Sequence, residues 1–191
     1  MNLTLTNMFN DKRSKKIIFL SHCILNQNSI SDGTADFPGT NNEVLKLLIQ
    51  SDAGIVQMPC PELLCLGLDR GNIHGSESPI IVENSRIRKL LSSAASVKKI
   101  KNLVNHLIIQ MDEYKKNGFE ISGIVGINRS PSCGIDTTSM NNKEVTGEGV
   151  FIKALREEME KRNIHTKIIG IKALETKKAI NEIEKILIIK E

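Results

Sequence analysis

The sequence predicts an α/β protein with a Rossmann-like three-layer fold, in which helices cover a mainly parallel sheet of about four to five strands. Apolar, largely β-branched runs alternate along the chain with segments of helical periodicity. The 191 residues are enough for one domain with its own core, and they contain no repeat or low-complexity linker. We therefore expect residues 1–191 to form a single domain, with residues 1–15 as a flexible tail.

The strands are predicted from four apolar runs, each bounded by turn-forming or polar residues. These runs are residues 16–22, 53–59, 121–127 and 165–171. A fifth run, "PIIVE" (79–83), is interpreted as an edge strand. Because helix-like segments separate the four main runs, parallel pairing with crossover helices is the expected topology.

The helices are predicted from apolar residues that recur every three or four positions. The segments are 41–51, 96–118, 147–163 and 175–189. Asn41 or Asn42 is expected to cap the first helix, and Gly118 to end the second. Residues 60–96 are less regular and are predicted to form a loop-rich insertion or lid after strand two, with a helix-like stretch at 84–93.

Composition excludes several function classes. The formal charge of +4 comes from scattered Lys and Arg, and aromatic residues make up 3% of the chain, which argues against binding a nucleic-acid polymer. No run of about 18 apolar residues occurs, so a membrane protein is not expected. The first basic cluster follows the mildly apolar start, which is the reverse of the order in a signal peptide, so we expect a cytoplasmic protein. We expect it to be a monomer or homodimer.

Three of the four cysteines follow successive predicted strands. Cys23, Cys60 and Cys133 should meet, since the carboxyl ends of parallel strands share one edge of the sheet. Thiolates suit an iron–sulfur cluster or zinc. The sequence has no C-x-x-C pair of the kind that forms a zinc ribbon. One thiolate per loop suits a cluster with one iron left open. The alternatives are buried cysteines that act as small hydrophobes, a structural or sensory metal site, and Cys133 as a nucleophile beside a histidine.

The motifs "SHC", "CPE" and "RSPSCG" occur in this order after successive strands. With these three motifs the chain resembles the thiouracil desulfidase family over about residues 17–149. The resemblance implies a [4Fe-4S] cluster bound by Cys23, Cys60 and Cys133. It also implies non-redox desulfuration of a thiolated pyrimidine such as 2-thiouracil, a reaction of hydrolase or lyase type that releases sulfide and the oxo base.

Two stretches depart from the family pattern, "SHCILNQNSISDG" and "LLCLGLDRGN". Both are expected in pocket-forming loops, so the reaction class carries over better than the substrate does. In the second stretch Cys65 stands near a position where the family has glycine. Cys65 is therefore either a spare thiol or an alternative ligand in place of Cys60.

Four polar residues beside the cysteines are candidates for the chemistry. Glu62 is the candidate acid/base, with capping of a helix start as the alternative. Ser130 and Ser132 are candidates for hydrogen bonds to substrate or cluster sulfurs, or for simple turn chemistry. His22 either moves protons or is satisfied by backbone. The glycine-rich helix entry "TGEGV" is also interpreted as a set of free N–H groups for an anion or carbonyl.

Overall fold

A computed structural model describes residues 9–187. In chain order the regular elements are β1 (Lys16–Leu20), α1 (His22–Leu25), α2 (Asn42–Gln50), β2 (Gly54–Gln57), α3 (Pro61–Leu66), α4 (Ile80–Leu91), α5 (Ala94–Lys116), β3 (Glu120–Ile127), β4 (Thr137–Met140), β5 (Lys143–Thr146), α6 (Val150–Lys161), β6 (Ile168–Ile171) and α7 (Thr176–Leu187). All four main strand predictions and all four main helix predictions are confirmed in type.

The main sheet has four strands in the order β2-β1-β3-β6, and every pair is parallel. The predicted fold class is therefore confirmed. β1 pairs with β2 on one side and with β3 on the other, so the direction of strand progression reverses between β1 and β3. The carboxyl edge at such a reversal is where parallel α/β sheets leave a crevice for ligands.

Helices cover both faces of the sheet, which accounts for strands that are apolar on both sides. Ile17 and Phe19 of β1 point into a cluster formed with α4, α5 and α6. Ile18 and Leu20 point the opposite way, into a cluster formed with α1, α2 and α7. This alternation follows from the period of two along a strand, and it produces the three predicted layers.

Helices α2 and α5 both begin at side-chain caps. Asn41 caps α2, because its side chain accepts a hydrogen bond from Val44 N at 3.3 Å. Ser93 caps α5 in the same way, by accepting from Ser96 N at 3.3 Å. The buried stripe of α5 consists of Ile100, Val104, Leu107, Ile108 and Met111. No helix within residues 9–187 combines the length and apolar character needed to cross a membrane.

The edge-strand prediction for "PIIVE" is wrong, since these residues begin α4. Ile80 and Val82 are exposed at 41% and 36%, whereas Ile87 and Leu91 further along the helix are fully buried. The core contacts therefore follow the helical period, and this overrides the β propensity of the run. Because α3 and α4 occupy much of residues 60–96, the irregular part of that segment is confined to 67–79.

The hairpin formed by β4 and β5 was not among the predicted elements. Its turn residues Asn141 and Asn142 both have positive φ, 52° and 59°, as a tight two-residue turn between antiparallel strands requires. Asn142 N donates to Ser85 Oγ at 2.8 Å, which ties the hairpin to α4. A bridge between Arg129 and Thr138 places the hairpin beside the loop that follows β3.

The predicted N-terminal tail lies partly outside the described residues, which begin at Phe9. The ring of Phe9 packs edge-on against Phe119, with centroids 5.8 Å apart. The guanidinium of Arg13 lies 4.1 Å above the ring of Phe9. The last part of the predicted tail therefore contacts the domain.

Candidate active site

A cavity of about 360 Å³ opens at the carboxyl edge of the sheet. Its walls come from the loops after β1, β2, β3 and β6, so it lies at the strand-order reversal. Cys23, Cys60 and Cys133 all line it, together with Glu62. The structure thus brings residues from three distant parts of the sequence to one cavity.

Local hydrogen bonds hold the first two cysteines. Cys23 lies in α1, where its carbonyl accepts from Gln27 Nε2 at 2.8 Å, and Gln27 Oε1 accepts from Asp36 N at 3.0 Å. Cys60 is the N-cap of α3, and its Sγ accepts from Leu63 N at 3.4 Å. Each thiol is therefore placed by backbone that begins directly after a strand end.

Close packing against glycines holds the loop of Cys133. Cys133 N donates to Ser130 Oγ at 3.0 Å, and Cys133 O accepts from Ile127 N at 3.0 Å. A Cβ at Gly126 would lie 2.4 Å from Cys133 O, and a Cβ at Gly149 would lie 2.3 Å from Ser132 O. Only glycine permits strand β3 to approach one side of the loop this closely at Gly126, and the start of α6 to approach its other side at Gly149.

The start of α6 is not a free anion site, so that interpretation of "TGEGV" is wrong. Val150 N donates to Pro131 O at 3.0 Å, and Phe151 N donates to Ser132 O at 3.0 Å. The helix N–H groups are therefore satisfied by the carbonyls of the Cys133 loop. They hold the loop and leave no donors for a ligand.

Glu62 is buried, with 7% of the residue exposed, and it accepts from four side chains. Its Oε1 accepts from Ser132 Oγ at 2.5 Å and from Ser130 Oγ at 3.4 Å. Its Oε2 accepts from Ser31 Oγ at 3.3 Å and from Arg70 Nε at 3.5 Å. All four partners are donors, which is the pattern an ionised carboxylate requires. Glu62 therefore joins three segments of the site.

Arg70 supplies the buried counter-charge to Glu62. It is 1% exposed and donates to the carbonyls of Gly67 at 2.7 Å, Leu68 at 2.9 Å and Ser29. Its Nη2 also lies 3.9 Å from Cys60 Sγ. Sequence analysis did not identify the pairing of Arg70 with Glu62, eight residues away, or the contact of Ser31 with Glu62, because both depend on the conformations of loops.

Glu62 lies in the first turn of α3, as the alternative of a helix-start carboxylate requires, but Cys60 is the N-cap and the side-chain hydrogen bonds of Glu62 go to Ser31, Arg70, Ser130 and Ser132. For Ser130 and Ser132 the structure shows the turn chemistry. Ser130 Oγ accepts from Ser132 N at 3.3 Å, which is turn chemistry. Ser132 Oγ, beyond its bond to Glu62, lies 3.6 Å from Cys133 Sγ and so faces the thiol.

Burial raises the pKa of every thiol in the cavity. Burial raises the pKa of Cys133 to about 12, and the charge of Cys60 is the next largest cause. Burial raises the pKa of Cys60 to about 11, and the charge of Glu62 is the next largest cause. The pKa of Cys23 is also well above its usual range, first from burial and then from Cys133. Without a cation these thiols stay protonated near neutral pH, whereas a bound metal ion would deprotonate them.

Cys65 lies outside the cavity. Its Sγ is 3.9 Å from Ser96 O, and the side chain packs against the cluster around α5. Burial raises the pKa of Cys65, and the charge of Lys99 opposes that shift. Of the two cysteines considered for the second ligand, the structure places only Cys60 at the cavity.

Unpaired buried polar atoms also concentrate at this site. Within the described residues, the buried side-chain atoms without a hydrogen bond are Ser21 Oγ, His22 Nε2 and Arg129 Nε. His22 and Arg129 line the cavity, and Ser21 lowers the pKa of Cys133 without reaching full hydrogen-bond geometry. Arg129 Nε has an ionic partner, Glu144 Oε2, at 3.4 Å. Unsatisfied buried groups commonly mark the place of an ion, water or ligand.

The donor set fits an iron–sulfur cluster. Three thiols on three separate loops surround one cavity, and a four-iron cluster binds each of its cysteines through a different iron. The unpaired Ser21 hydroxyl beside Cys133 offers a hydrogen bond of the kind that tunes cluster sulfurs. In residues 9–187, no three His, Cys, Asp or Glu side chains are grouped as ligands of one metal ion.

Fold and site together define a parallel α/β protein with three cysteines and a buried glutamate around one cavity at the carboxyl edge of the sheet. The chain is 32% identical, over 157 residues, to the uncharacterized protein MJ0003 of Methanocaldococcus jannaschii, covering 82% of this chain and 86% of that protein. The chain therefore belongs to the same family as that protein. No family model matches the chain, and no solved structure matches it.

Proposed function

We propose that this protein is a [4Fe-4S]-dependent desulfidase that replaces the sulfur of a small thiocarbonyl compound with oxygen. The substrate is a thiolated pyrimidine such as 2-thiouracil, and the products are sulfide and the oxo base. The observation that carries the proposal is the convergence of Cys23, Cys60, Cys133 and Glu62 on one cavity. The resemblance of "SHC", "CPE" and "RSPSCG" to the thiouracil desulfidase family supports the same reaction.

Cys23, Cys60 and Cys133 would hold the cluster. When bound, the cluster would supply an iron without a protein ligand, which is a Lewis acid for the sulfur of the substrate. Ser132, whose Oγ is 3.6 Å from Cys133 Sγ, and Ser21 are the hydroxyls next to that thiol. The hydroxyl of Ser21, which has no other hydrogen-bond partner among the described residues, would donate to the sulfur atoms. Ser132 donates its single proton to Glu62 and so holds the loop of the third ligand in place.

Glu62 is the residue that moves protons. Replacement of sulfur uses one water: the oxygen bonds to the ring carbon, the carbon–sulfur bond breaks, and both water protons leave with the sulfur as hydrogen sulfide. No electrons are gained or lost. A carboxylate that accepts a proton from the attacking water and returns it to the departing sulfur satisfies this balance. Ser130, Ser132 and Ser31 fix the carboxylate in the cavity wall for that role.

Two alternative functions differ from this proposal in what the site must contain. A metal protein without turnover, with zinc or a cluster in a sensory or interaction role, does not need a carboxylate buried in the cavity at 7% exposure. A cysteine-nucleophile enzyme needs a thiolate near neutral pH. The raised pKa of Cys133, about 12, opposes that role for the metal-free thiol.

The proposal also covers the setting of the protein. An oxygen-sensitive cluster and free thiols persist in a reducing compartment, which favours the cytoplasm. The partner is a small molecule and not a nucleic-acid polymer, and the chain works as a monomer or homodimer.

The direct test is turnover of 2-thiouracil by anaerobically reconstituted protein in water labelled with oxygen-18, without added reductant. We expect sulfide and uracil in equal amounts, with the label in the uracil. Cys133→Ser serves as the control without cluster, and it should release no sulfide. Absence of sulfide from the wild-type protein, or a requirement for reductant, would contradict the proposed reaction.

A further inference from the structure

Helix α4 contributes a polar side chain to the cavity wall. Asn84 lines the cavity, and so does Ile80, one helical turn earlier on the same face of α4. Arg88, one turn later, donates to Pro131 O at 3.3 Å and to Thr138 Oγ1 at 2.8 Å. This face of α4 therefore lies against the loop that follows β3, and Asn84 is in the middle of the face.

Hydrogen bonds to the protein fix the orientation of the Asn84 amide. Its Nδ2 lies 3.4 Å from Ser139 Oγ, and Ser139 Oγ lies 2.6 Å from Arg129 O. A carbonyl oxygen only accepts, so the single hydroxyl proton of Ser139 goes to Arg129 O. Ser139 Oγ then accepts from Asn84, and only the NH2 group of an amide can donate. The amide is thus oriented with Nδ2 toward Ser139 and with Oδ1 directed away from it.

The oxygen Oδ1 of Asn84 is unpaired and accessible. The residue is 8% exposed, and its one side-chain hydrogen bond within residues 9–187 is the one from Nδ2. The fully covered atoms without a partner in that range belong to Ser21, His22 and Arg129, and Asn84 Oδ1 is not one of them because it keeps accessible surface. Since Asn84 lines the cavity, a ligand in the cavity can reach this oxygen.

Among the described residues, three side-chain amides line the cavity, and the protein itself uses the oxygens of two. Gln27 Oε1 accepts from Asp36 N at 3.0 Å. Asn128 Oδ1 accepts from Asp136 N at 3.0 Å and from Ile135 N at 3.3 Å. The amide oxygen that remains for a ligand is Oδ1 of Asn84, which can only accept a hydrogen bond.

We propose that Asn84 is a specificity residue whose Oδ1 accepts a hydrogen bond from a ring N–H of the substrate. The inference rests on the proposed function and adds a requirement that the reaction does not impose, since exchange of sulfur for oxygen needs only the thiocarbonyl. The site takes a ring whose N–H is unsubstituted at the position that contacts Asn84. It discriminates against a ring alkylated at that nitrogen, which leaves Oδ1 unpaired beside an alkyl group.

The test compares binding of uracil, 1-methyluracil and 3-methyluracil, of which the last two are isomers of equal size. Calorimetry gives their dissociation constants for wild-type protein, Asn84→Ala and Asn84→Leu, all reconstituted anaerobically, and chemical analysis gives the iron content. We expect wild-type protein to bind one isomer at least about threefold more weakly than the other. In Asn84→Ala this difference should disappear, and the dissociation constant of uracil should rise about three- to tenfold, as for one lost neutral hydrogen bond.

Asn84→Leu separates the hydrogen bond from the bulk of the side chain, because leucine fills a similar volume without an acceptor. It should bind uracil as weakly as Asn84→Ala does. In both variants we expect KM for 2-thiouracil to rise by the same factor and kcat to stay within about twofold, as for a group that binds substrate and transition state equally. Asn105→Ala is the matched control, since Asn105 is exposed on α5 and outside the cavity.

Four results would overturn the inference. They are equal binding of the two isomers by wild-type protein, an unchanged dissociation constant of uracil in Asn84→Ala, wild-type affinity for uracil in Asn84→Leu, and loss of iron in Asn84→Ala. The last result would make Asn84 a structural support for the loop after β3. If wild-type protein binds uracil in an Asn84-dependent way but releases no sulfide from 2-thiouracil, the proposed reaction fails while the role of Asn84 in binding stands.

Discussion

Cys60 and Cys65 belong to the same short segment, yet they lie in different environments. Cys60 caps the start of α3 at the cavity, and Cys65 occupies the last turn of the helix and packs toward Ser96 of α5. Five residues of helix rotate a side chain by about 140° from its starting direction. Burial raises the pKa of both thiols, but only Cys60 has Glu62 and Arg70 as charged neighbours.

The difference shows that position after a strand end, more than residue type, decides which cysteines share the cavity. Cys23 and Cys133 follow β1 and β3 as Cys60 follows β2. Cys65 is one helical turn too far along the chain. The same contrast applies to glutamates, since Glu62 lines the cavity while Glu83, equally buried, does not.

The largest expected effect concerns this pair of glutamates. Glu62→Gln should lower kcat for 2-thiouracil by about 10²–10⁴-fold, because the amide cannot carry the proton. Iron content should stay unchanged, since no cluster ligand is removed. Glu83→Gln is the control: Glu83 pairs with Arg86 at 2.5 Å and should leave kcat intact. Equal activity of Glu62→Gln and wild type would remove Glu62 from the chemistry.

A smaller effect is expected where glycine supports the Cys133 loop. In Gly149→Ala the new methyl group would lie 2.3 Å from Ser132 O, so the loop must move. We expect a loss of about 1–3 kcal/mol in the free energy of unfolding, measured in urea, together with reduced iron content. Gly39→Ala has nothing within 4 Å of the added Cβ and should change neither. Full iron content in Gly149→Ala would show that the loop need not be held this closely.

A still smaller effect separates the thiols of the metal-free protein by their reactivity. At pH 8 iodoacetamide should label Cys65 before Cys60 and Cys133, whose pKa values are about 11 and about 12. Since the thiolate reacts, labelling of Cys60 should accelerate about tenfold per pH unit up to its pKa. Peptide mass spectrometry measures each site. Preferential labelling of Cys133 at pH 8 would instead favour the nucleophile alternative.

Much of the fold could be predicted because four apolar runs and four amphipathic segments have lengths and periods typical of strands and helices. The hairpin was missed, since "TTSM" and "KEVT" are short and polar. The pair Asn141 and Asn142 between them was a usable turn signal. Taken alone, the β-branched residues of "PIIVE" favour a strand, and the helical period is visible only when Ile87 and Leu91 are included.

The positions of three cysteines at one edge followed from the parallel topology alone. The partners of Glu62 did not, because Ser31 and Arg70 reach it through loop conformations that no local pattern encodes. The positive φ of Arg70, 55°, is one such feature. The use of the α6 start is equally hidden from local patterns, since Val150 N and Phe151 N each donate to a carbonyl 19 residues earlier, those of Pro131 and Ser132.

The measurement that tests the central claim most directly is iron and acid-labile sulfide per chain in anaerobically reconstituted protein, with each cysteine changed to serine in turn. We predict about four irons in the wild type and in Cys65→Ser, and their loss in Cys23→Ser, Cys60→Ser and Cys133→Ser. No iron in the wild-type protein, or loss of iron in Cys65→Ser with retention in Cys60→Ser, would contradict the account.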